Sequence, residues 1–339
     1  MTKPVVTIGI PVYNVEKFVE KSLRSVLGQD YEFIEILVVY DKSDDNSLLV
    51  VKKLLENGSV PYTIIINKKE NKGLGKARNV ILDNFSGDFL FFLDSDDYLE
   101  PLSISLFMNE ALSNGADVVV GSHQSVDGDH NVLEKFRFGH KKTLENKSLK
   151  DHIYVENKFY PIYTWNKLYE KSFLKKNNLR YIHNDVEDAL FSFQAIENAE
   201  KVTFLPTITL SYLIRETSLT RAPFQHSRAN IFISICDYIY NYHKGSTSFS
   251  SLCCKVDWFY TTYVMIFRDA YKSQCISKRQ KEVLYKLALK TPRLPVKHLK
   301  KILFVKKNKT VLLILVKTIP FRLNVFLIHL YHLVKSKKC

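Results

Sequence analysis

After Glu282 this 339-residue sequence contains no acidic residue at all. Fourteen Lys and Arg lie between Val283 and Cys339, so the formal charge of +14 belongs entirely to the tail. The preceding 282 residues hold 35 bases and 35 acids and are neutral. Cysteine is sparse as well. Cys236, Cys253, Cys254, Cys275 and Cys339 form no Cys-x-x-Cys pair, which removes a zinc ribbon and a disulfide framework from consideration. No Gly-x-Gly-x-x-Gly follows the first apolar run and no Gly-x-x-x-x-Gly-Lys-Ser/Thr occurs, so dinucleotide and P-loop binding are disfavoured. Nor does any apolar run approach the ~20 residues of a membrane span. Met1-Thr2-Lys3-Pro4 leads at once into the strand-like Val5–Ile10; no signal peptide is expected there, and the expected home is a reducing cytoplasm.

What remains is ordinary globular composition, 46% apolar and 25% charged, long enough for two domains or one large domain with an appendage. Its centre is the stretch Gly87–Asp97. Phe89 to Leu93 are consecutive apolar residues, the pattern of a parallel strand covered on both faces. They run into Asp94-Ser95-Asp96-Asp97, and acids end strands. Carboxylates this crowded raise one another's pKa unless a cation sits among them, and a hard divalent ion shared with substrate phosphates is the simplest relief. The other reading is an Asp-rich turn into a helix starting at Pro101.

Strand and helix alternate before and after it. Val5–Ile10, Ile34–Val39, Tyr62–Ile66, Phe89–Leu93 and Asp117–Gly121 read as strands, with helices between them and Asn14 placed to cap the first. Short connections of this kind predict right-handed crossovers in a mostly parallel α/β sheet. The carboxyl ends carry Tyr13 and Asn14, Asp41, Asn71, and Asp94 to Asp97. Ligands of open α/β sheets bind at such ends.

Four blocks then carry a resemblance: Val6–Asn14, Val39–Ser47, Glu70–Asn79 and Gly87–Asp97. In order and spacing they resemble family 2 glycosyltransferases, inverting enzymes of the GT-A fold. The second block of that family usually reads Asp-Asp-Gly-Ser; here Tyr40 and Lys42 stand for the first acid and the glycine. The resemblance implies a UDP-sugar across the strand ends, with Pro11 and Tyr13 lining the base and Asp41 bonding base or ribose. A carboxylate, an acceptor only, suits a uracil N–H. Asn71 and Ser95 fall in the same donor-binding set, and Arg78 would lie near the diphosphate or sugar. Asp94 and Asp96 match the family's Asp-x-Asp pair, which implies Mn²⁺ or Mg²⁺ on Asp96 with Asp94 beside it. Asp41 as a helix-entry acid and Arg78 as a solvated helix-face arginine are the competing readings.

Tyr163–Tyr169 and Asn184–Phe191 resemble the family's acceptor-side blocks. Asp188, with Glu187 as the competing candidate, is then the base that deprotonates the acceptor hydroxyl; alternatively both acids stabilise a helix amino terminus. Trp165 offers a face for a sugar, or is ordinary core, and Lys167 belongs to the same acceptor block. Arg215 would contact the diphosphate.

The expected organisation is a donor half at 1–122, an acceptor half at 123–222 and a helical region at 223–339. In the last, basic and apolar residues alternate from Lys290, and the runs Val311–Val316 and Leu323–Val334 are too short to span a bilayer. Such segments lie on anionic membrane surfaces; packing on the catalytic domain or a homodimer contact is the alternative. No nucleic-acid motif accompanies the charge. The expected function is transfer of a hexose or N-acetylhexosamine from a UDP-sugar to a saccharide acceptor carried on a membrane lipid, in capsule, O-antigen or lipooligosaccharide assembly. A sugar nucleotidyltransferase would want a Gly-rich basic loop after the first strand, where Pro11-Val12-Tyr13-Asn14 stands. A catalytically inactive nucleotide-binding scaffold would not need the acids to be near-intact.

Overall fold

The computed structural model describes residues 3–58, 60–67, 70–156, 158, 160–183, 186–215, 226–246 and 248–272, with backbone alone at 226–229, 259 and 262–272. In it the run Phe89–Phe92 is β4, buried at every position. Alternation along this strand sorts its side chains onto two faces. Phe89, Phe91 and Leu93 join the core formed with α1 (Val19–Leu27), α2 (Ser47–Glu56) and α4 (Ser103–Asn114). Phe92 points the other way and meets Tyr169, Tyr181 and Phe191 edge-on, with ring centroids 5.8–6.2 Å apart. Both faces are therefore covered, as a run without polar alternation requires.

β1 (Val6–Val12), β2 (Ile34–Asp41), β3 (Tyr62–Asn67) and β4 pair in parallel in the order β3-β2-β1-β4. Beyond β4 the sheet continues through β9 (Lys167–Glu170), β6 (Val118–Val126), β10 (Lys201–Leu213) and β5 (Tyr98–Leu99). Here β9 runs antiparallel to both neighbours, while β6 and β10 are parallel to each other. β7 (Val132–Phe136) pairs with β6 and β8 (Lys142–Glu145) with β10. The α/β sheet expected from the sequence is found; it is parallel through β3-β2-β1-β4 and mixed beyond, where β9 is inserted antiparallel between β4 and β6.

Two local expectations are corrected. Asn14 does not cap α1: it adopts φ 50°, its Oδ1 accepts the Asp44 N–H at 2.8 Å, and the helix begins at Val19. Tyr98-Leu99, expected at a helix entry, is a two-residue strand against β10, because Asp97 Oδ1 accepts the Leu213 N–H at 2.9 Å and holds the segment there.

α3 (Leu74–Asn84) lies unusually close to the sheet. A Cβ on Gly9 of β1 would come within 2.5 Å of Ile81 Cγ2, so glycine at that position sets the depth of the helix that carries Arg78. α5 (Asn146–Lys150), α6 (Lys171–Lys176) and α7 (Glu187–Asn198) complete this part of the chain.

The chain divides into two compact units, Met1–Leu149 with Pro161–Arg221, and Lys150–Tyr160 with Ala222–Cys339. In the second, α8 (His226–Tyr242) buries Phe232, Ile235, Cys236, Ile239 and Tyr240, one stripe at helical spacing. It packs on α9 (Phe249–Lys272), and α9 also meets a π-helical turn at Asp151–Val155. The cysteines at 236, 253 and 254 are buried and free. No helix among the described residues is long and apolar enough to cross a membrane. The part of the expected helical region from residue 273 on, with the basic amphipathic stretch at 290–339, lies outside the described residues.

Candidate active site

The carboxyl end of β2 delivers Asp41, which is buried. Its carboxylate accepts the N–H of Lys72 at 2.9 Å, that of Gly73 at 3.0 Å and the Asn67 amide at 2.7 Å. Gly73, at φ 89°, then starts α3. Asp41 thus shapes the loop that launches α3, and Asn71 contributes by accepting the Gly73 N–H at 2.7 Å. At the ends of the neighbouring strands, Pro11 is buried in β1 and Tyr13 stands 46% exposed just beyond it. Lys42 adopts φ 39°, a left-handed conformation that glycine takes at no steric cost.

One turn into α3, Arg78 is completely buried. Its guanidinium reaches Asp94 Oδ1 through Nη2 at 2.7 Å, and through Nη1 both Glu187 Oε1 at 2.8 Å and Asp188 Oδ1 at 2.6 Å. Residues 94, 187 and 188, separated by up to 94 positions, therefore meet on one cation. Burial alone would lower the guanidinium pKa, but Asp188, Asp94 and Glu187 outweigh it and hold it well above the ordinary value. The solvated helix-face reading of Arg78 is excluded by its burial.

Three carboxylates exceed one guanidinium, and Glu187 and Asp188 hold their protons more tightly than usual. Burial, then the adjacent Asp188, pushes the Glu187 carboxyl up to about 7. Burial also raises Asp188, against the pull of Arg78. Thr164, fully buried, donates its hydroxyl to Asp188 Oδ1 at 2.7 Å. Val186, immediately before the pair, takes φ 55°. A β-branched residue there is strained, as is common at sites where structure over-determines the backbone. Asn79 and Tyr181 exchange two hydrogen bonds, 2.8 and 3.0 Å long, which tie α3 to the segment approaching α7.

On the other side of Asp94, Asp96 forms an ion pair with Arg215, whose guanidinium also lies over the Phe18 ring, 4.8 Å from its centroid. Burial and then Asp94 raise the Asp96 carboxyl, with Arg215 opposing. Burial, Asp96 and Asp94 push Asp97 well above its ordinary value. Asp97 serves as the peg between the loop and β10 described above. Ser95 is buried among these acids. Asp94 Oδ2 accepts no hydrogen bond among the described residues and is not closed off from solvent. Crowded hard oxygens with one left uncommitted are a donor set that fits Mg²⁺ or Mn²⁺.

The acceptor-side residues lie deeper than a sugar contact needs. Trp165 stacks on Tyr163, with ring centroids 3.6 Å apart and planes nearly parallel, and on Tyr212, at 5.4 Å. Trp165 itself is buried, and the half-buried rings beside it are those of Tyr163 and Tyr212. Lys167 is fully buried on β9 and bonds the Tyr163 carbonyl. Burial lowers its ammonium to about 7 although Asp188 works against this.

The cluster brings together Asp94, Arg78, Glu187 and Asp188, with Asp96 and Arg215 paired beside them. Tyr13, Asp41 and Asn71 lie at neighbouring strand ends. Sequence reasoning missed Thr164, Asn79, Tyr181 and Val186. Asn79, Thr164 and Val186 fall inside the blocks that carry the resemblance, but local pattern does not show that Thr164, Asn79 and Tyr181 act through residues far along the chain.

A family model described as "Glycosyl transferase family 2" matches residues 7–188, just over half of the chain. Glycosyltransferase GlyA of Streptococcus pneumoniae is 32% identical over 223 residues, 64% of this chain and 31% of GlyA. The uncharacterized glycosyltransferase EpsJ of Bacillus subtilis is 26% identical over 226 residues, 66% of this chain and 64% of EpsJ. The chain thus spans less than two thirds of either relative. Among solved structures, that of S. aureus TarS 1–349 in complex with UDP-GlcNAc superposes with a TM-score of 0.75 at 20% identity, covering 97% of this chain and 91% of that one. At that identity the likeness is one of fold, and the fold is GT-A.

The raised Glu187 carboxyl has a consequence for stability. Its ordinary value is 4.5 and its folded value about 7, so the folded state keeps a proton that the unfolded chain has released. The stability this contributes is present below pH 4.5 and is lost as pH rises towards 7. Glu187→Gln should remove that loss. In urea denaturation at pH 5 and pH 7.5, wild type is expected to lose more stability between the two than the variant; equal losses would contradict the burial argument.

Proposed function

The chain belongs to glycosyl transferase family 2, and from that premise we propose that it moves a hexose or N-acetylhexosamine from a UDP-sugar to a hydroxyl of a saccharide acceptor, with inversion. The observation that carries this reading is the meeting of Asp94 with Glu187 and Asp188 on Arg78. It joins the acids at the end of β4 to those that open α7. Donor chemistry and acceptor chemistry need such groups within one sugar's reach.

In this reading Asp188 takes the proton of the acceptor hydroxyl. The hydroxyl oxygen forms its bond to the anomeric carbon while the bond from that carbon to the diphosphate breaks, and the electron pair leaves on UDP. Asp96 and Asp94 would hold Mn²⁺ or Mg²⁺, which when bound neutralises charge on the departing diphosphate. Arg215 supplies a further phosphate contact, and Asp41 and Asn71 shape the loop beside the base. Pro11 and Tyr13 line that base, and Ser95 sits among the donor acids. Trp165 and Lys167 act from beneath, backing and anchoring the tyrosines that face the acceptor. The UDP-GlcNAc in the TarS structure supports a UDP-linked donor. The names of two relatives, a poly(ribitol-phosphate) beta-glucosyltransferase and a chondroitin synthase, support assembly of a long polymer as the setting.

We read the acceptor as lipid-linked, with the enzyme peripheral on the cytoplasmic membrane surface, because of the acid-free basic tail. Flotation with vesicles containing anionic lipid tests this. Full-length chain should float and a chain ending at Glu282 should not; full-length chain that stays at the bottom would end the claim and leave packing on the catalytic domain or a homodimer contact as the tail's role.

The transfer itself is tested by UDP release from a panel of UDP-glucose, UDP-galactose, UDP-N-acetylglucosamine and UDP-N-acetylgalactosamine with Mn²⁺. Asp188→Asn should keep UDP binding and lose turnover by roughly 100-fold or more, the scale of a lost general base. Asp96→Ala should make UDP affinity indifferent to Mn²⁺. Near-normal turnover in the first, or an unchanged Mn²⁺ effect in the second, would contradict the roles given.

A further inference from the structure

We infer that Thr164 is a positioning residue that fixes which oxygen of Asp188 takes the acceptor's proton. The inference rests on Asp188 being the base, as proposed above, and goes one step further into the same site.

Asp188 Oδ1 receives two strong donors, Arg78 Nη1 at 2.6 Å and Thr164 Oγ1 at 2.7 Å. Oδ2 receives none among the described residues and is not closed off from solvent. The Asp188 side chain is 21% exposed, while Arg78 and Thr164, which hold Oδ1, are fully buried. An oxygen that already accepts two hydrogen bonds, one from a cation, has little basicity left. The proton of the hydroxyl must go to the other one.

Arg78 alone cannot dictate this. Its Nη1 is shared with Glu187 Oε1 at 2.8 Å, and a carboxylate held at one point by a shared donor still turns about its own terminal torsion, which is broad and two-fold. The second anchor, from a fully buried side chain on a different segment, removes that freedom. Thr164 is in turn held by its own backbone: its carbonyl accepts the Tyr169 hydroxyl at 3.3 Å, and it lies between Tyr163 and the stacked Trp165. Hydrogen bonding to the ionised form also favours that form. Thr164 thus counters the upward push that burial exerts on the Asp188 carboxyl.

Thr164→Val keeps the volume and removes the donor; Thr164→Ser keeps the donor and removes a methyl. The readout is UDP release, with water as acceptor, from whichever of the four UDP-sugars above turns over, followed against pH. Thr164→Val is expected to lower kcat roughly tenfold, the scale of one hydrogen bond to a charged group. KM for the UDP-sugar should stay within about twofold, since the donor side is untouched. The acid limb of the kcat profile should move up by about half a pH unit or more, and Thr164→Ser should restore both. Thermal unfolding confirms that each variant is folded, and Thr164→Ala stands in should the valine not fold. An unmoved acid limb in the folded donor-less variant, or a serine variant as slow as it, overturns the inference. If Asp188→Asn turns over normally, or no UDP-sugar turns over, it is the underlying reading that fails and this inference falls with it. A dead Asp188→Asn beside a normal Thr164→Val removes Thr164 alone.

Discussion

Three carboxylates share the guanidinium of Arg78, and that shared cation is the constraint on which the arrangement depends. Without it, Asp94 at the end of β4 and Glu187 and Asp188 at the start of α7 would be half-buried like charges, and their mutual repulsion would separate the two halves of the site. Breaking a buried ion pair by removing one partner typically costs ~3–5 kcal/mol, and here one side chain serves three partners. Much of the surrounding detail exists to place that guanidinium. Gly9 lets α3 approach the sheet, Asp41 shapes the loop that starts the helix, and Asn79 ties it to the segment before α7.

The same cluster is under tension. One cation cannot neutralise three acids, so burial raises Glu187 and Asp188, and on the other side Asp96 and Asp97. Val186 and Lys42 hold backbone conformations that their side chains do not favour. These are the costs of keeping acids close together and poorly solvated. A neutral apolar filling of the same volume would be more stable and would have no means of taking a proton from a hydroxyl. Strain and unneutralised charge gather where donor and acceptor must meet, as at functional sites generally.

Much of this was legible in the sequence because it depends on local pattern. Buried apolar runs ending in polar residues identify β1, β2 and β4, and the acids at the end of β4 are found in and beside the cluster. β9 escaped notice because Lys167-Leu168-Tyr169-Glu170 is a strand only through antiparallel pairing with β4 and β6, neither of them near in sequence. Tyr98-Leu99 suggested a helix entry for the same reason, since Asp97 and β10 settle its conformation from 116 residues away. Arg78 was seen as a candidate, but whether an arginine on a helix faces water or three carboxylates cannot be told from its neighbours in the chain. Thr164 stood inside the Tyr163–Tyr169 block, but nothing there marked its role. A buried threonine beside an aromatic is ordinary core until the acid it supports, 24 residues on, is in place.

The account stands or falls on Arg78 as the shared cation, and Arg78→Lys tests it most directly. Lysine keeps the charge and much of the stem but offers a single ammonium in place of a planar fork, so it cannot hold Asp94 and the Glu187–Asp188 pair at once. UDP release from the UDP-sugar that turns over should fall by roughly 100-fold in folded Arg78→Lys, the scale of an ångström's misplacement of catalytic groups. Release within about threefold of wild type, from a variant whose thermal unfolding is unchanged, would show that the two sets of acids do not need a common cation.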